Sequence, residues 1–497
     1  MPNQTPFFQA FGPLLFGRPA RATNARLSKL DSLQELYAIF GDLFPQRLLS
    51  PTEKGANSRR RSLPTQVTFW DFVWQVLSPG SSCRETVRKV EAWWRWGQRR
   101  SRRGLSPSAY CEARARLDSQ TLKLIHDSLA WNLERNTLRA EQWLEGRVVK
   151  IVDGTMCSMP DTAANQQRWP QSSWQKPGLG FPLMKLVGLF SLGSGALLEH
   201  TSGDLHVHES QLFRQLWEKL EKRDVILADR GFCSYAAIAS LAQRGVDSVM
   251  RLHQMRKADF RSGQALGQGE RLVTWTKPAQ RTSAWSASEF AALPEQLVLR
   301  MIRLDVAAPG FRTRRVILVT TLLDCELYPA KEVRALYGQR WSVELHFHQL
   351  KAILHLDILR CQSPALVSKE LQIHLIVYNL IRALMQKAAH GHDVSFARIS
   401  FKGTLDTLRQ WSEVIHASCG QPRKQSLLIS DMLRLIALDT LPYRPGRSEP
   451  RATKRRPKNF HLLTRHVTKW ATCPIETAQP KPSITSLNLM PFHTDPY

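Results

Sequence analysis

The sequence has little of what membrane, secreted or zinc-binding proteins need. Its eight cysteines are scattered singly, without a C-x-x-C pair from which a zinc site could be built. The longest apolar run, 371–385, is interrupted by His374, Asn379 and Arg382, which makes it too short and too polar to span a bilayer. The apolar segment FFQAFGPLLFG lacks a preceding basic region and a small-residue cleavage site. We therefore expect a protein of the cytosol with reduced, mostly structural thiols.

Acidic residues are scarce relative to basic ones. The 497 residues contain 42 Asp and Glu against 69 Lys and Arg, which gives a formal net charge of +27 and a pI near 10.2. Such an excess favours contact with a polyanion, nucleic acid first, although charge alone leaves open a solvated basic surface or an anionic membrane. A hydrophobic content of 43% is that of a folded protein. The length allows about two to four domains.

Changes of pattern divide the chain into four parts. Residues 1–62 are interpreted as a basic, poorly ordered lead-in. Residues 63–146 have helical spacing of apolar positions and contain WWRWGQRRSRRG, which suits phosphate contact as well as it suits core tryptophans beside exposed arginines. Residues 147–390 alternate strands with helices, which predicts an α/β layer, interrupted at about 253–312 by a β-rich insertion. Residues 391–497 are predicted to be helical with a Pro-rich basic arm.

The segment from Tyr337 to Lys351 carries polar residues at helical spacing. Arg340, Glu344 and Lys351 follow Tyr337 by 3, 7 and 14 residues. On an α-helix these offsets correspond to about 300°, 340° and 320°, so one narrow face is expected to hold all four side chains. Glu supplies a hard oxygen ligand there, and the others supply hydrogen bonds and positive charge for a phosphate. The alternative for this helix alone is an exposed Arg340–Glu344 pair on an ordinary surface helix.

Two aspartates follow β-branched runs. Asp153 ends VVKIVD and Asp229 ends VILAD, so each is expected where a buried strand gives way to a glycine-containing turn. An aspartate at a strand end is often only a turn-former. Together with Glu344, however, the two make three carboxylates, the minimum set for holding two divalent cations roughly 3.5–4 Å apart. Ligation by oxygen alone indicates Mg²⁺ or Mn²⁺.

These motifs resemble those of DDE transposases of bacterial insertion sequences, in particular the insertion-sequence-four family. Y-GQ-R-WSV-E-LHFHQL-K matches the family signature Tyr-x2-Arg-x3-Glu-x6-Lys in residue types and spacing, and IVDGT and LADRGF resemble its first and second acidic motifs. The resemblance covers about residues 65–460. It implies an α/β fold: a ribonuclease H-like catalytic core with a β-rich insertion, flanked by a helical N-terminal DNA-binding domain and a helical, basic C-terminal region.

For function, the resemblance implies a Mg²⁺- or Mn²⁺-dependent enzyme of the bacterial cytoplasm, associated with the nucleoid through DNA. It would bind the terminal inverted repeats of its element, pair the ends as a homodimer, cleave them and join them to target DNA. Asp153, Asp229 and Glu344 would be the catalytic residues and the ligands of two ions. The other signature residues would grip phosphates near the cleaved end: Tyr337, Arg340 and Lys351.

Two further DNA contacts are hypotheses. Trp275, in the insertion, could support a base turned out of the stack if a hairpin forms, or it could be a core aromatic between strands. Arg230 could reach a phosphate or neutralise the neighbouring carboxylates. The alternative functions are a transposase-derived DNA-binding protein without cleavage, against which the intact carboxylates argue, and another ribonuclease H-like nuclease, which would not explain the Tyr-Arg-Glu-Lys helix.

Overall fold

The computed structural model describes residues 34–50, 62–98, 104–144, 146–282, 284–305 and 315–442, without the side chains of 93–98. The basic arm at 444–458 and the arginines at 99–103 lie outside these ranges. The prediction of a poorly ordered lead-in is wrong for residues 34–50, because helix α1 (Gln34–Phe40) buries Leu36, Ile39 and Phe40 in the main hydrophobic core. Those apolar positions outweigh the loop-forming composition around them.

The described part of 62–144 is helical. Ser106 and Asp118 begin two of its helices, since their side chains accept hydrogen bonds from the amides of Ala109 and Thr121. A DNA-binding role for these residues stays a prediction. Four α-helices are present in this part: α2 (Thr65–Leu77), α3 (Cys83–Gln98), α4 (Pro107–Arg116) and α5 (Ser119–Arg135).

Nine strands of the described residues form one sheet, in the order β3-β2-β1-β4-β5-β9-β8-β7-β6. Strand β1 pairs antiparallel with β2 and parallel with β4, and β4 pairs parallel with β5. The strands are β1 (Val149–Ser158), β2 (Leu183–Ser191), β3 (Leu197–Gly203), β4 (Val225–Ala228), β5 (Asp247–Arg251), β6 (Gln264–Gly267), β7 (Glu270–Thr276), β8 (Gln296–Asp305) and β9 (Arg315–Thr320). Short helices lie between them: α6 (Ala163–Arg168), α7 (Glu209–Arg214), α8 (Tyr235–Gln243) and α9 (Ala287–Ala291).

The β-rich residues predicted as an insertion continue the sheet. Strands β8, β7 and β6 extend it beyond β9, which itself pairs antiparallel with β5. A buried ion pair between Arg300 of β8 and Glu270 of β7 lies inside this extension. Arg300 also donates to the carbonyls of Leu322 at 3.2 Å and Tyr328 at 2.7 Å. The extension is therefore fixed to the segment that leads from β9 towards the following helices.

The rest of the described chain is helical. It forms α10 (Ala330–Gly338), α11 (Ser342–His348), α12 (Pro364–Gly391), α13 (Phe401–Ala417) and α14 (Pro422–Leu438). Most of α12 is buried, and its Asn379 amide pairs with both the N–H and the carbonyl of Leu197 in edge strand β3, at 3.0 and 2.9 Å. None of the helices in the described ranges combines the length and apolar character that crossing a membrane requires.

The pair of His416 and Glu35 should make stability depend on pH. His416 Nδ1 lies 2.8 Å from the buried Glu35 carboxylate and connects α13 to α1. Burial lowers the pKa of His416, but hydrogen bonds to Cys419 and Glu35 outweigh it and raise the pKa to about 9. A raised folded pKa stabilises fully below the unfolded value, and that contribution disappears as the pH rises through about 9.

We therefore expect Glu35→Gln to lower the free energy of unfolding by about 1.5 to 3 kcal/mol at pH 6.5, the usual range for a hydrogen bond to a charged group, and by less at pH 9.5. Urea unfolding of both proteins at the two pH values measures this. An equal difference at both would show that the histidine charge contributes nothing.

Candidate active site

The two aspartates are brought to the site by neighbouring strands. Asp229 directly follows β4, as predicted. Asp153 was expected at a strand end, and this is wrong: β1 continues to Ser158, and Asp153 lies opposite Gly188 of β2. The antiparallel partner β2 keeps β1 extended after the parallel pairing with β4 has stopped at Ile151. Asp153 thus projects where the parallel part of the sheet ends.

The segment from Tyr337 to Lys351 was expected to be one regular helix, and this is also wrong. Helix α10 ends at Gly338, a 3₁₀ turn follows at Gln339–Trp341, and after α11 a π-helical segment runs over Gln349–Ile353. A 3₁₀ turn and a π-helical segment rotate the chain by different angles per residue than an α-helix does. The four side chains therefore do not share the single face that α-helical spacing predicts. Tyr337 is consequently 2% exposed. The Glu344 side chain, in contrast, is 59% exposed.

Arg340 lies between two of the predicted carboxylates. Its guanidinium is 3.5 Å from Asp153 through Nη1 and 3.5 Å from Glu344 through Nη2. These distances exceed the ~2.7–2.9 Å of a tight charge-assisted hydrogen bond. Arg340 is buried, and its Nε has no hydrogen-bond partner among the described residues. Within those residues, no three His, Cys, Asp or Glu side chains lie close enough together to hold a metal ion.

Asp153 has an unusual electrostatic environment. Burial raises the pKa of its carboxyl to about 6; the Gly154 amide and Arg340 oppose that rise, whereas the charges of Asp229 and Glu209 add to it. Glu209, the first residue of α7, is not predicted as a site residue from the sequence, because a single glutamate forms no motif. A Cβ on Gly154 would lie 2.8 Å from Glu209 Oε1. The glycine of IVDGT therefore makes room for a fourth carboxylate beside Asp153.

Tyr337 and Lys351 contact the two aspartate-bearing strands. The Tyr337 hydroxyl donates to the carbonyl of Ala228, the residue before Asp229, at 3.5 Å. Lys351 Nζ donates to Thr155 Oγ1 at 3.2 Å. A cleft of about 370 Å³ lies beside these contacts. It is lined by Asp153, Gly154, Thr155, Glu344, Phe347, His348 and Lys351.

The two other predicted DNA contacts lie outside that cleft. Arg230 is exposed at the start of the 3₁₀ turn after Asp229. Trp275 is 8% exposed and packs in the core shared by the insertion and the sheet. The Arg256 guanidinium lies 3.9 Å from the centre of its ring. A base could stack on Trp275 only if Arg256 moved.

A protein family and a known relative of this chain agree with the resemblance seen in its motifs. Residues 144–380 match the family described as "Transposase DDE domain". The chain is 26% identical over 440 residues to the transposase InsG for insertion sequence element IS4 of Escherichia coli K12, which covers 87% of this chain and 96% of that protein. Both matches support a DDE transposase of the insertion-sequence-four family. The transposase function expected from the motifs is thereby confirmed.

Two other proteins are similar to this transposase. The transposase for insertion sequence element IS421 of Escherichia coli is 39% identical over 71 residues, 14% of this chain and 19% of that protein. Among solved structures, the piggyBac transposase synaptic complex with hairpin DNA matches with a TM-score of 0.40 and 10% identity, covering 85% of this chain and 88% of that one.

The buried position of Tyr337 leads to a prediction about its hydroxyl. Tyr337→Phe should lower the free energy of unfolding by about 1 kcal/mol or less, because it removes one long hydrogen bond. DNA cleavage should fall roughly tenfold or more, because the hydroxyl positions the residue before Asp229. Urea unfolding and single-turnover cleavage of an element end measure the two effects.

Tyr378→Phe is the matched control, since the Tyr378 hydroxyl donates to the Gly195 carbonyl at 2.8 Å and belongs to the buried helix α12. It should cost stability and leave cleavage unchanged. Equal cleavage losses in the two variants would contradict a positioning role for Tyr337.

Proposed function

We propose that Asp153, Asp229 and Glu344 form the catalytic centre of this transposase and hold two divalent cations for cutting and joining DNA. The observation that carries the proposal is that Asp153 and Glu344, far apart in sequence, both reach the guanidinium of Arg340. Asp229 completes the set, because its charge is close enough to raise the pKa of Asp153. Three carboxylates from three elements of secondary structure thus interact electrostatically, two of them through Arg340 and the third with Asp153.

The donor atoms fit Mg²⁺ or Mn²⁺. All three proposed ligands offer carboxylate oxygen, which hard divalent cations prefer. When bound, two such ions activate the attacking oxygen and stabilise the leaving oxygen of a phosphodiester. Arg340 supplies the positive charge between Asp153 and Glu344 in the structure, so both carboxylates are already arranged around a cation.

The chain's own cationic groups are suited to hold the DNA strand. Arg340 offers a two-pronged donor and a free Nε, which a phosphate could engage if the guanidinium moves away from the carboxylates. Lys351 lines the cleft beside Glu344, and Arg230 is exposed next to Asp229. Tyr337 is buried and donates to the Ala228 carbonyl, so the role that we propose for it is to position Asp229.

The fold proposed for the catalytic part is a ribonuclease H-like core. Its support is the strand order β3-β2-β1-β4-β5, in which three antiparallel strands are followed by parallel pairs. Strands β6 to β8 separate the Asp229 turn from the helices that carry Glu344. This is the arrangement that the resemblance implies.

The substrates we propose are the terminal inverted repeats of the element and a target duplex. The net charge of +27 supports this proposal, because neutralising phosphates releases counterions. Helices α2 to α5 and the basic arm are proposed to bind DNA outside the catalytic cleft. Pairing of two ends would occur in a homodimer, in the bacterial cytoplasm at the nucleoid.

Cleavage of a duplex carrying the flanking inverted repeat, with Mg²⁺, tests this function. Asp153→Asn, Asp229→Asn and Glu344→Gln should each reduce cleavage by roughly 10³-fold or more, because loss of a residue from a catalytic unit disables the unit. Binding of the ends should stay within a few-fold in a gel-shift assay. The control is Asp406→Asn, because this carboxylate pairs with Lys402 and Arg409 on α13. Cleavage by all three site variants would overturn the assignment.

Arg340 should have opposite effects on cation binding and DNA binding. Without DNA, Arg340→Ala should bind Mn²⁺ several-fold more tightly, because the carboxylates lose their internal counter-charge. The same variant should bind an element end several-fold more weakly, and Arg340→Lys should be intermediate in both. Electron paramagnetic resonance of free Mn²⁺ and fluorescence anisotropy of labelled DNA measure the two affinities. Weaker Mn²⁺ binding by Arg340→Ala would contradict the competition.

A further inference from the structure

Two cysteines meet in the N-terminal helices, away from the catalytic cleft. Cys83 begins α3 and Cys111 lies in α4, and their Sγ atoms are 3.8 Å apart. Both residues are half-buried, so small reagents can reach them from solvent. Cys157, Cys233 and Cys361, in contrast, are buried. Local sequence pattern does not indicate this pair, because 27 residues separate its members.

A buried cation contacts both sulfur atoms. Arg114 Nη2 lies 3.3 Å from the Sγ of Cys83 and 3.3 Å from that of Cys111. Arg114 is 6% exposed, and the rings of Phe72 and Tyr110 lie 4.9 and 5.0 Å from its Cζ. Throughout the described ranges no carboxylate lies within ion-pair distance of it. The two sulfur atoms therefore accept hydrogen bonds from Arg114 where a buried guanidinium would usually have a carboxylate.

We propose that Cys83 and Cys111 are a redox site whose thiols are oxidised to an intramolecular disulfide by a peroxide or by a small organic disulfide. With hydrogen peroxide, one thiolate attacks an oxygen atom, the O–O bond breaks, and a sulfenic acid and hydroxide form. The second thiolate attacks the sulfenic sulfur, the S–S bond forms, and the oxygen leaves as hydroxide; the two hydroxides take up the protons that the two thiols released. Two thiols and one peroxide thus give one disulfide and two waters.

Arg114 favours this reaction because its positive charge stabilises whichever sulfur is ionised. Burial raises the pKa of the Cys83 thiol and Arg114 opposes that rise, so oxidation should become faster as the pH increases. Forming the bond requires the sulfurs to approach from 3.8 Å to about 2.05 Å, a movement that side-chain rotation and small helix shifts can supply.

The disulfide would join the first residue of α3 to the middle of α4. The loop that it closes contains the arginine-rich stretch at 99–103. A crosslink of this kind restricts the unfolded chain, so the oxidised protein should unfold at a temperature higher by several degrees. The redox state of the pair would thus set how firmly α3 is held to α4.

The experiment treats the full-length protein with hydrogen peroxide or, separately, oxidised glutathione, blocks remaining thiols with iodoacetamide, and maps the digested peptides by mass spectrometry. We expect a Cys83–Cys111 crosslinked peptide that dithiothreitol removes. Cys325→Ser, which changes an exposed cysteine elsewhere, should give the same crosslink. Cys111→Ser should instead leave Cys83 as a mixed disulfide with glutathione.

The wild-type peptide map decides the proposal even if a variant fails to fold. Separate iodoacetamide adducts on Cys83 and Cys111 after full treatment would overturn it. So would independent oxidation of the two residues to sulfinic acids, or crosslinked peptides that join Cys83 or Cys111 of one chain to another chain. An unchanged melting temperature after complete crosslinking would overturn the stabilising effect on the N-terminal helices.

Discussion

The burial of a carboxylate where the parallel part of the sheet ends, with two further carboxylates nearby, is the constraint around which this transposase is arranged. Burial disfavours the ionised form of Asp153, and the charges of Asp229 and Glu209 add to that effect. The ionised form therefore needs a compensating cation. Arg340 provides that cation at 3.5 Å. Its contact with Glu344 contributes little stability, because the Glu344 side chain is mostly exposed. The Asp153–Arg340 pair therefore dominates, and Glu344 remains available for another ligand.

The fold keeps these groups together although they belong to distant parts of the sequence. Strand β1 holds Asp153 opposite Gly188 of β2, two residues after its parallel pairing with β4 ends at Ile151. Arg147, just before β1, donates to the carboxylate of Asp247 in β5 at 2.7 Å and to the Arg223 carbonyl at 2.9 Å. Arg300 attaches the insertion to the Tyr328 segment that leads to α10. The strands that carry the two aspartates and the strands of the insertion thus belong to one continuous sheet.

Local sequence pattern was sufficient for some features and insufficient for others. The α/β alternation, the β-rich insertion and the position of Asp229 after β4 follow from hydrophobic periodicity and turn residues. The extended course of β1 past Asp153 does not, because it depends on pairing with β2, which lies beyond α6. The burial of Tyr337 was missed because periodicity gives side-chain directions only for a regular helix. Glu209 had no local signal, since its proximity to Asp153 arises only in the folded sheet.

The number of Mn²⁺ ions bound by the complex of the protein with an element end tests the central claim most directly. Equilibrium titration monitored by electron paramagnetic resonance would be carried out on the wild type and on Asp229→Asn, with DNA in excess. We expect two ions per active site for the wild type and a loss of at least one for the variant, because Asp229 is a proposed ligand. The same number of Mn²⁺ ions, bound with the same affinity in both proteins, would contradict the assignment of Asp229 as a ligand.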